Sequence, residues 1–288
     1  MSSSTASKPV DVLTKRAEVI LKIPERPYFV AGALGGPSVV FVLTPLRNAL
    51  TLASQDRTSS IRGIYSKVFA RGLQGGWVGG KWPAIPACPQ FIVLGPLYHF
   101  YSSILGPYAA LPITGITETM ITFGANARNS EIAYKSHSGM AISGLTPVWR
   151  FWGPGSIAHA CRNTIAMSGM RIFSPLLTEF FGGNPTKTQK IAADFSASMF
   201  TGALSMPFNQ LFNFYATSPQ SHSLTSSQRF ALGVQFLRNQ YLKTNESGSL
   251  RLSHVMFRDI VLRSVYASCL FGIYVTIERE VVSQWSSV

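Results

Sequence analysis

Residues 28–46 read YFVAGALGGPSVVFVLTPL, without one charged side chain. At the rise of an α-helix such a stretch reaches about across the hydrocarbon core of a bilayer, roughly 30 Å thick. Five further stretches share its character. Residues 82–105 are uncharged, and 105–127 hold one acid, Glu118. Residues 154–181 are apolar apart from His159, Arg162, Arg171 and Glu179; 191–219 carry Asp194; 255–277 carry Arg258, Asp259 and Arg263. The reading is six membrane-spanning helices. The connections after the first, third and fifth (54–71, 126–150 and 218–251) are long, polar and basic, whereas the other two are short. Within the last of them, residues 226–242 read as an amphipathic helix. Two helices around a long polar insert, met three times, make an internal repeat of about 80–100 residues, and a repeat outranks any local assignment.

Composition agrees. Charged residues are 13% of the 288 and hydrophobic ones 46%, with mean hydropathy +0.19; about 25% charged is usual for a soluble domain. The 24 glycines and 17 prolines suit membrane helices, where both are commoner than in soluble ones. A net charge of +13 would also fit a nucleic-acid-binding protein, but the long apolar runs argue against that partner. Cys88, Cys161 and Cys269 are dispersed and form no C-x-x-C pair. They read as reduced thiols and not as a zinc site or a disulfide framework. Residues 1–26 are Ser-rich, then charged, without the apolar core of a signal peptide, and are expected to form a polar tail. No nucleophile elbow, Walker loop or HExxH is present, and the glycines of 75–80 follow no strand, so no enzymatic chemistry is expected.

Ionised groups inside a span are costly and face a cavity or a partner. Glu118, Asp194, Arg162 and Arg263 are therefore pathway candidates, and pairing among themselves is the competing reading.

The first stretch holds Ala31-Gly32, Gly36 and Thr44-Pro45-Leu46. It is followed by Gly72-Leu73-Gln74-Gly75-Gly76-Trp77-Val78-Gly79, and then by 89–98. Gly115-Ile116-Thr117-Glu118, Phe151-Trp152-Gly153, Arg162-Asn163 and 170–173 continue the pattern, with Ala125 at the proline position. Gly202, Met206-Pro207-Phe208-Asn209, Arg263 and 271–274 complete it. This ordered set resembles the mitochondrial carrier family over about residues 27–283. The resemblance implies an all-α membrane protein, six tilted and kinked transmembrane helices in three pseudo-repeats. Its parts would be a tail (1–26) and repeats at 27–107, 108–184 and 185–288, within one integral domain.

Family gates are ion pairs between repeats. At the matrix-side gate the aligned acid positions read Arg47, Ala127 and Asn209, and the base positions Leu50, Ser130 and Phe212. At the outer gate the acid positions read His99, Pro175 and Thr276, and the base positions Ser102, Thr178 and Arg279. Both gates are thus expected to be degenerate. The substrate positions align with Pro86, with Arg162 and Asn163, and with Arg263, with Glu118 as a further polar group. Gly72, Gly79 and Gly153 fall where the family binds cardiolipin, although a solvated basic face explains the same region.

Two functions follow from the resemblance. One is transport of a small anionic metabolite of carboxylate or keto acid type. The other is a non-transporting, carrier-like subunit or scaffold within a larger mitochondrial membrane complex. Membrane lipids are expected partners in both, cardiolipin among them, with no other cofactor, no metal and no nucleic acid. The expected residence is the mitochondrial inner membrane ahead of the outer.

Overall fold

The computed structural model describes residues 26–182, 185–244 and 250–285, and these are mostly helical. The expected tail lies, but for Arg26, outside them. Six long helical rods account for most of the chain. The first joins α1 (Arg26–Val30), a π-helical turn (Ala31–Gly35), α2 (Gly36–Val42) and α3 (Thr44–Gln55). It bends at Leu43, with φ −84° and ψ 9°. Pro45 causes the bend, because it has no N–H to donate and its ring crowds the carbonyl a turn earlier. Between the first two rods lie α4 (Ile61–Val68), capped by Ser60 through Gly63 N–H, and the single turn α5 (Leu73–Gly76).

The second rod is α6 (Lys81–Leu105), with Pro86, Pro89 and Pro96 inside it, and the third is α7 (Pro107–His137). The fourth joins α8 (Ser156–Ser168), a π-helical turn (Gly169–Phe173) and α9 (Ser174–Phe180). The fifth is α10 (Lys187–Thr217), begun by a capping box of Thr186 and Gln189. A 3-10 turn (Pro219–His222), α11 (Ser226–Tyr241) and a hairpin of β1 (Leu242–Thr244) with β2 (Leu250–Leu252) lead to the sixth rod, α12 (His254–Trp285).

Each rod packs on the next and α12 returns to the first, so the rods close a ring. The first, third and fifth rods also meet one another at their C-terminal ends, where α3, α7 and α10 touch. Close approach is built into the sequence: a Cβ at Gly36 would stand 2.6 Å from the Phe91 ring, and one at Gly202 2.8 Å from Ser264 Cα.

The apolar clusters lie at the seams between rods. Val39, Leu43, Leu50, Leu262 and Tyr266 join the first and sixth rods and receive Ile64 and Val68 of α4. Phe123, Ala127, Ala158, Phe212 and Ala216 join the third, fourth and fifth. Tyr98, Ala110, Leu111 and Met167 join the second, third and fourth. The buried polar side chains include Asn48, Asn126, Asn163, Asn209, Asn213, Arg162 and Arg263, while Leu34, Phe41, Ile116, Met120, Ile157, Phe200, Leu204 and Val265 are exposed.

That distribution corrects the sequence reading in two places. Among the described residues one helix, α12, is long and apolar enough by composition to cross a membrane; six were expected. The first and fourth rods are broken into shorter helices, the apolar Ala31–Val42 among them, and buried Asn, Ser and Thr dilute the hydropathy of α7 and α10. The third rod also runs ten residues past the end read at 127, to His137, because Asn129, Ser130 and Glu131 are buried and do not form a surface loop.

Candidate functional site: a cationic central cavity and its two ends

The ring encloses a cavity of about 60 Å³, space for a few waters. Arg47, Arg162 and Arg263 line it, together with Glu118, Gln90, Asn126, Asn163, Asn209 and Asn213. Each arginine is held by neutral acceptors. Arg47 Nη2 donates to Asn126 Oδ1 at 2.6 Å. Arg162 donates to Asn163 Oδ1 through Nε and Nη2, both at 3.2 Å, and to Asn209 Oδ1 through Nη1 at 3.3 Å. Arg263 Nε donates to Ser205 Oγ at 3.1 Å. Aromatic faces complete two of the settings, with Arg162 5.2 Å above Phe212 and Arg263 5.5 Å above Tyr266.

Glu118 accepts from Gln90 Nε2 at 2.7 Å and forms no ion pair among the described residues. Among the described residues Glu118, Asp194, Arg162 and Arg263 form no ion pair with one another; Asp194 pairs instead with Arg279. A guanidinium stays protonated even when buried, so three positive charges share this cavity with one carboxylate. Coulomb attraction for an anion is stronger in such a site than in water. Asn209 Nδ2 is buried and has no partner among the described residues, which leaves one donor unused.

Of the expected substrate positions, Arg162, Asn163, Arg263 and Glu118 come together here. Pro86 does not: it is buried, but Pro83, Gln90 and Phe91 are the α6 residues that line the cavity. Gln90 was not read as a site because its signal was absorbed by the apolar run around it.

One end of the ring is closed by hydrogen bonds between odd-numbered rods. Besides Arg47–Asn126, Thr51 Oγ1 meets Ser130 Oγ at 3.5 Å, Ser130 Oγ donates to Asn213 Oδ1 at 3.1 Å, and Gln55 Nε2 donates to Thr217 Oγ1 at 2.7 Å. His159 Nε2 meets Asn126 Nδ2 at 3.1 Å, and its ring stacks on Phe212. The bonds between first and third rods span 79 residues in two cases and 81 in another, Asn129 Nδ2 donating to Asn48 Oδ1, and the bond from third to fifth spans 83.

Arg47 meets Asn126, the residue before the aligned Ala127, and the aligned Ser130 meets Thr51 and bonds Asn213. Asn209 is not part of the inter-rod clasp, because its amide oxygen serves Arg162. Leu50, Ala127 and Phe212 are core residues of the apolar seams. The clasp residues Thr51, Gln55, Asn126, Asn213 and Thr217 escaped the sequence reading, which sought charges.

The other end opens into a vestibule of about 480 Å³ lined by Pro175, Thr178, Asp194 and Arg279 among others. Arg279 Nη2 pairs with Asp194 Oδ2 at 2.6 Å, joining the sixth rod to the fifth, and Ser174 Oγ donates to Asp194 Oδ1. The expected outer gate between even-numbered rods is otherwise not formed. His99 is exposed and Ser102 half-buried, while Thr178 and Thr276 donate to carbonyls of their own rods. Pro175 has no donor, so it serves only as wall.

The expected lipid positions have local explanations. Gly72 and Gly79 adopt φ of 75° and 77°, which glycine alone takes without strain. The Gly153 amide donates to Ser156 Oγ at 2.6 Å.

No protein-family model and no characterised protein matches this sequence.

Proposed function

We propose that the chain is a carrier-type membrane bundle, resembling the mitochondrial carriers, whose central cavity binds a small anion of carboxylate or keto acid type. The observation that carries this is the cavity itself, where Arg47, Arg162 and Arg263 face one acid and are held by amides and hydroxyls. An arginine fork takes a carboxylate through two parallel hydrogen bonds. Support for the carrier architecture comes from the closed ring of six rods and from the meeting of its odd-numbered rods at one end. Apolar side chains on the outside with arginines and amides inside suit a bilayer as solvent. The mitochondrial inner membrane, with lipid and cardiolipin as neighbours, follows from the resemblance.

A second reading has an observation of its own. Where a transporting member would part its gate, Leu50 and Phe212 are locked into apolar seams, and the clasp contains no oppositely charged pair. A non-transporting, carrier-like subunit of a larger membrane complex could keep the bound anion as a structural element.

The test uses the purified chain in mild detergent. A bound ligand stabilises a fold by mass action, so succinate should raise the unfolding temperature of the wild type and leave Arg162→Ala unmoved. Uptake of labelled succinate into liposomes then selects the carrier, and binding without uptake selects the subunit. A wild type indifferent to carboxylates and to phosphate would overturn the anion site.

A further inference from the structure

Between the vestibule and the central cavity lies a neck of about 80 Å³. It shares Gln90, Phe91 and Glu118 with the cavity below, and Met170, Arg171, Tyr274 and Glu278 with the vestibule above. Arg171 is therefore the arginine that borders both the neck and the vestibule. It is set there by the π-helical turn Gly169–Phe173, the one place where the fourth rod departs from α-helical winding. Such single π turns recur at functional sites, because one extra residue in the turn re-aims the side chains after it.

The setting of Arg171 differs from that of the three deeper arginines. Its guanidinium lies 5.1 Å above the Tyr98 ring. Nε is buried without a hydrogen-bond partner, and no hydrogen bond or ion pair from this side chain occurs among the described residues. Glu278 lines the same neck without forming an ion pair with Arg171. A guanidinium presents five donors in a rigid fork, and leaving a buried one unbonded costs more than it does for a neutral group. The donors point into a space shared with solvent above and with the cavity below.

We propose that Arg171 is a second anion-binding position. It would hold a carboxylate or phosphate group in the neck before that group reaches Arg162 and Arg263. This rests on the reading of the central cavity as an anion site. Two cationic stations in series, each bonded through one fork, let an anion move inward by exchanging one set of hydrogen bonds for another instead of crossing the neck bare. The Tyr98 ring, 5.1 Å from the guanidinium, restrains the side chain and lowers the cost of ordering it around an anion.

The experiment is calorimetric titration of the full chain in mild detergent with succinate and, separately, with inorganic phosphate. Chloride at equal ionic strength is the control for screening. The wild type is expected to take up a second anion that Arg171→Gln does not. The double variant Arg162→Gln/Arg263→Gln is expected to keep one anion, and to lose it when Arg171→Gln is added. Arg171→Lys, which retains the charge without the fork, is expected to bind about tenfold more weakly at this station; it also carries the test if the glutamine variant does not fold. Succinate binding with phosphate excluded would assign the station to carboxylates, and the converse to phosphates. A wild type that binds a single anion, unchanged in Arg171→Gln, overturns this proposal and leaves the central site standing. A wild type that binds neither probe overturns both.

Discussion

The two ends of the ring solve the same problem differently. At the closed end, three odd-numbered rods meet through neutral partners, Thr51, Ser130 and Asn213, with Gln55 and Thr217 a turn beyond. At the open end two ion pairs, Asp194–Arg279 and Lys187–Glu280, tie neighbouring rods and leave a vestibule of about 480 Å³. The difference follows from desolvation. Where the odd-numbered rods converge, water is excluded, and a buried charge pair must repay a large solvation loss, as Arg258–Asp259 does beside them through further bonds to two carbonyls and the Tyr241 hydroxyl. Neutral hydroxyls and amides satisfy each other there at lower cost. At the open end Arg279 remains 34% exposed, so water shares the solvation of the pair. The closed end should therefore carry the stability of the bundle, and the open end should be free to respond to ligands.

The largest expected effect is at the closed end. Arg258 bonds Asp259 at 2.8 Å and also donates to the carbonyls of Ser59 and Ala53, at 2.9 and 2.8 Å. It thus fastens the start of α12 to the end of α3. Arg258→Ala would leave the buried Asp259 with the Tyr241 hydroxyl but no cation and would remove a donor from two carbonyls, at about 3–5 kcal/mol. Thermal unfolding in detergent should show the largest drop of any variant named here. A drop no greater than that of Arg279→Ala would reverse the ranking of the two ends.

Next comes the clasp. Asn213→Ala removes the acceptor of Ser130 Oγ, leaving Thr51 and Ser130 with each other, and should cost about 1–3 kcal/mol. The same variant sharpens the functional question. If the clasp is a gate, liposome uptake or leak should rise as stability falls; if it is a static seam, stability alone should change.

How much of this was legible in the sequence depends on what carried the signal. The helical class and the intervals of the rods follow from uncharged runs, which are long and tolerate a few residues of error. Arg162, Asn163, Arg263 and Glu118 were found because a charge in an apolar run is conspicuous. The clasp was missed for the opposite reason, since Thr51 and Asn213 look like ordinary polar residues at the ends of apolar runs. The third rod has no proline where Pro45 and Pro207 mark the other two rods, so its register has no such landmark in the sequence. Arg279 was seen, but its partner Asp194 lies on an odd-numbered rod, where a search confined to even-numbered ones does not look.

A smaller effect is expected from pH at the loop that follows α3. Asp56 accepts from the Thr58 and Ser59 amides, both at 2.8 Å, from the Ser59 hydroxyl and from Lys67. Burial by itself would raise its pKa, but the bonds from Lys67, Ser59 and Thr58 outweigh it and hold the carboxyl well below the usual range. A depressed folded-state pKa contributes stability above the unfolded value, about 3.9, and that stability is lost as pH falls toward the folded value. Wild-type unfolding temperature should thus decline below about pH 4 more steeply than that of Asp56→Asn. Parallel curves would show that the loop adds nothing to the closed end.

The smallest effect is expected at the open end, from Arg279→Ala. The pair it breaks is partly hydrated, and exposed pairs contribute about 0–1 kcal/mol. What should change is access. Asp194 would keep the Ser174 hydroxyl as a donor but lose its cation, turning the vestibule rim more acidic and less attractive to an anion. Association of succinate should slow, most clearly at low salt where screening is weak, while the dissociation rate, set by the deeper arginines, should hold. Stopped-flow measurements of both rates separate the contributions. A change confined to dissociation would mean that Arg279 touches the bound anion directly, and the division between a stabilising closed end and a responsive open end would have to be redrawn with Arg279 inside the site.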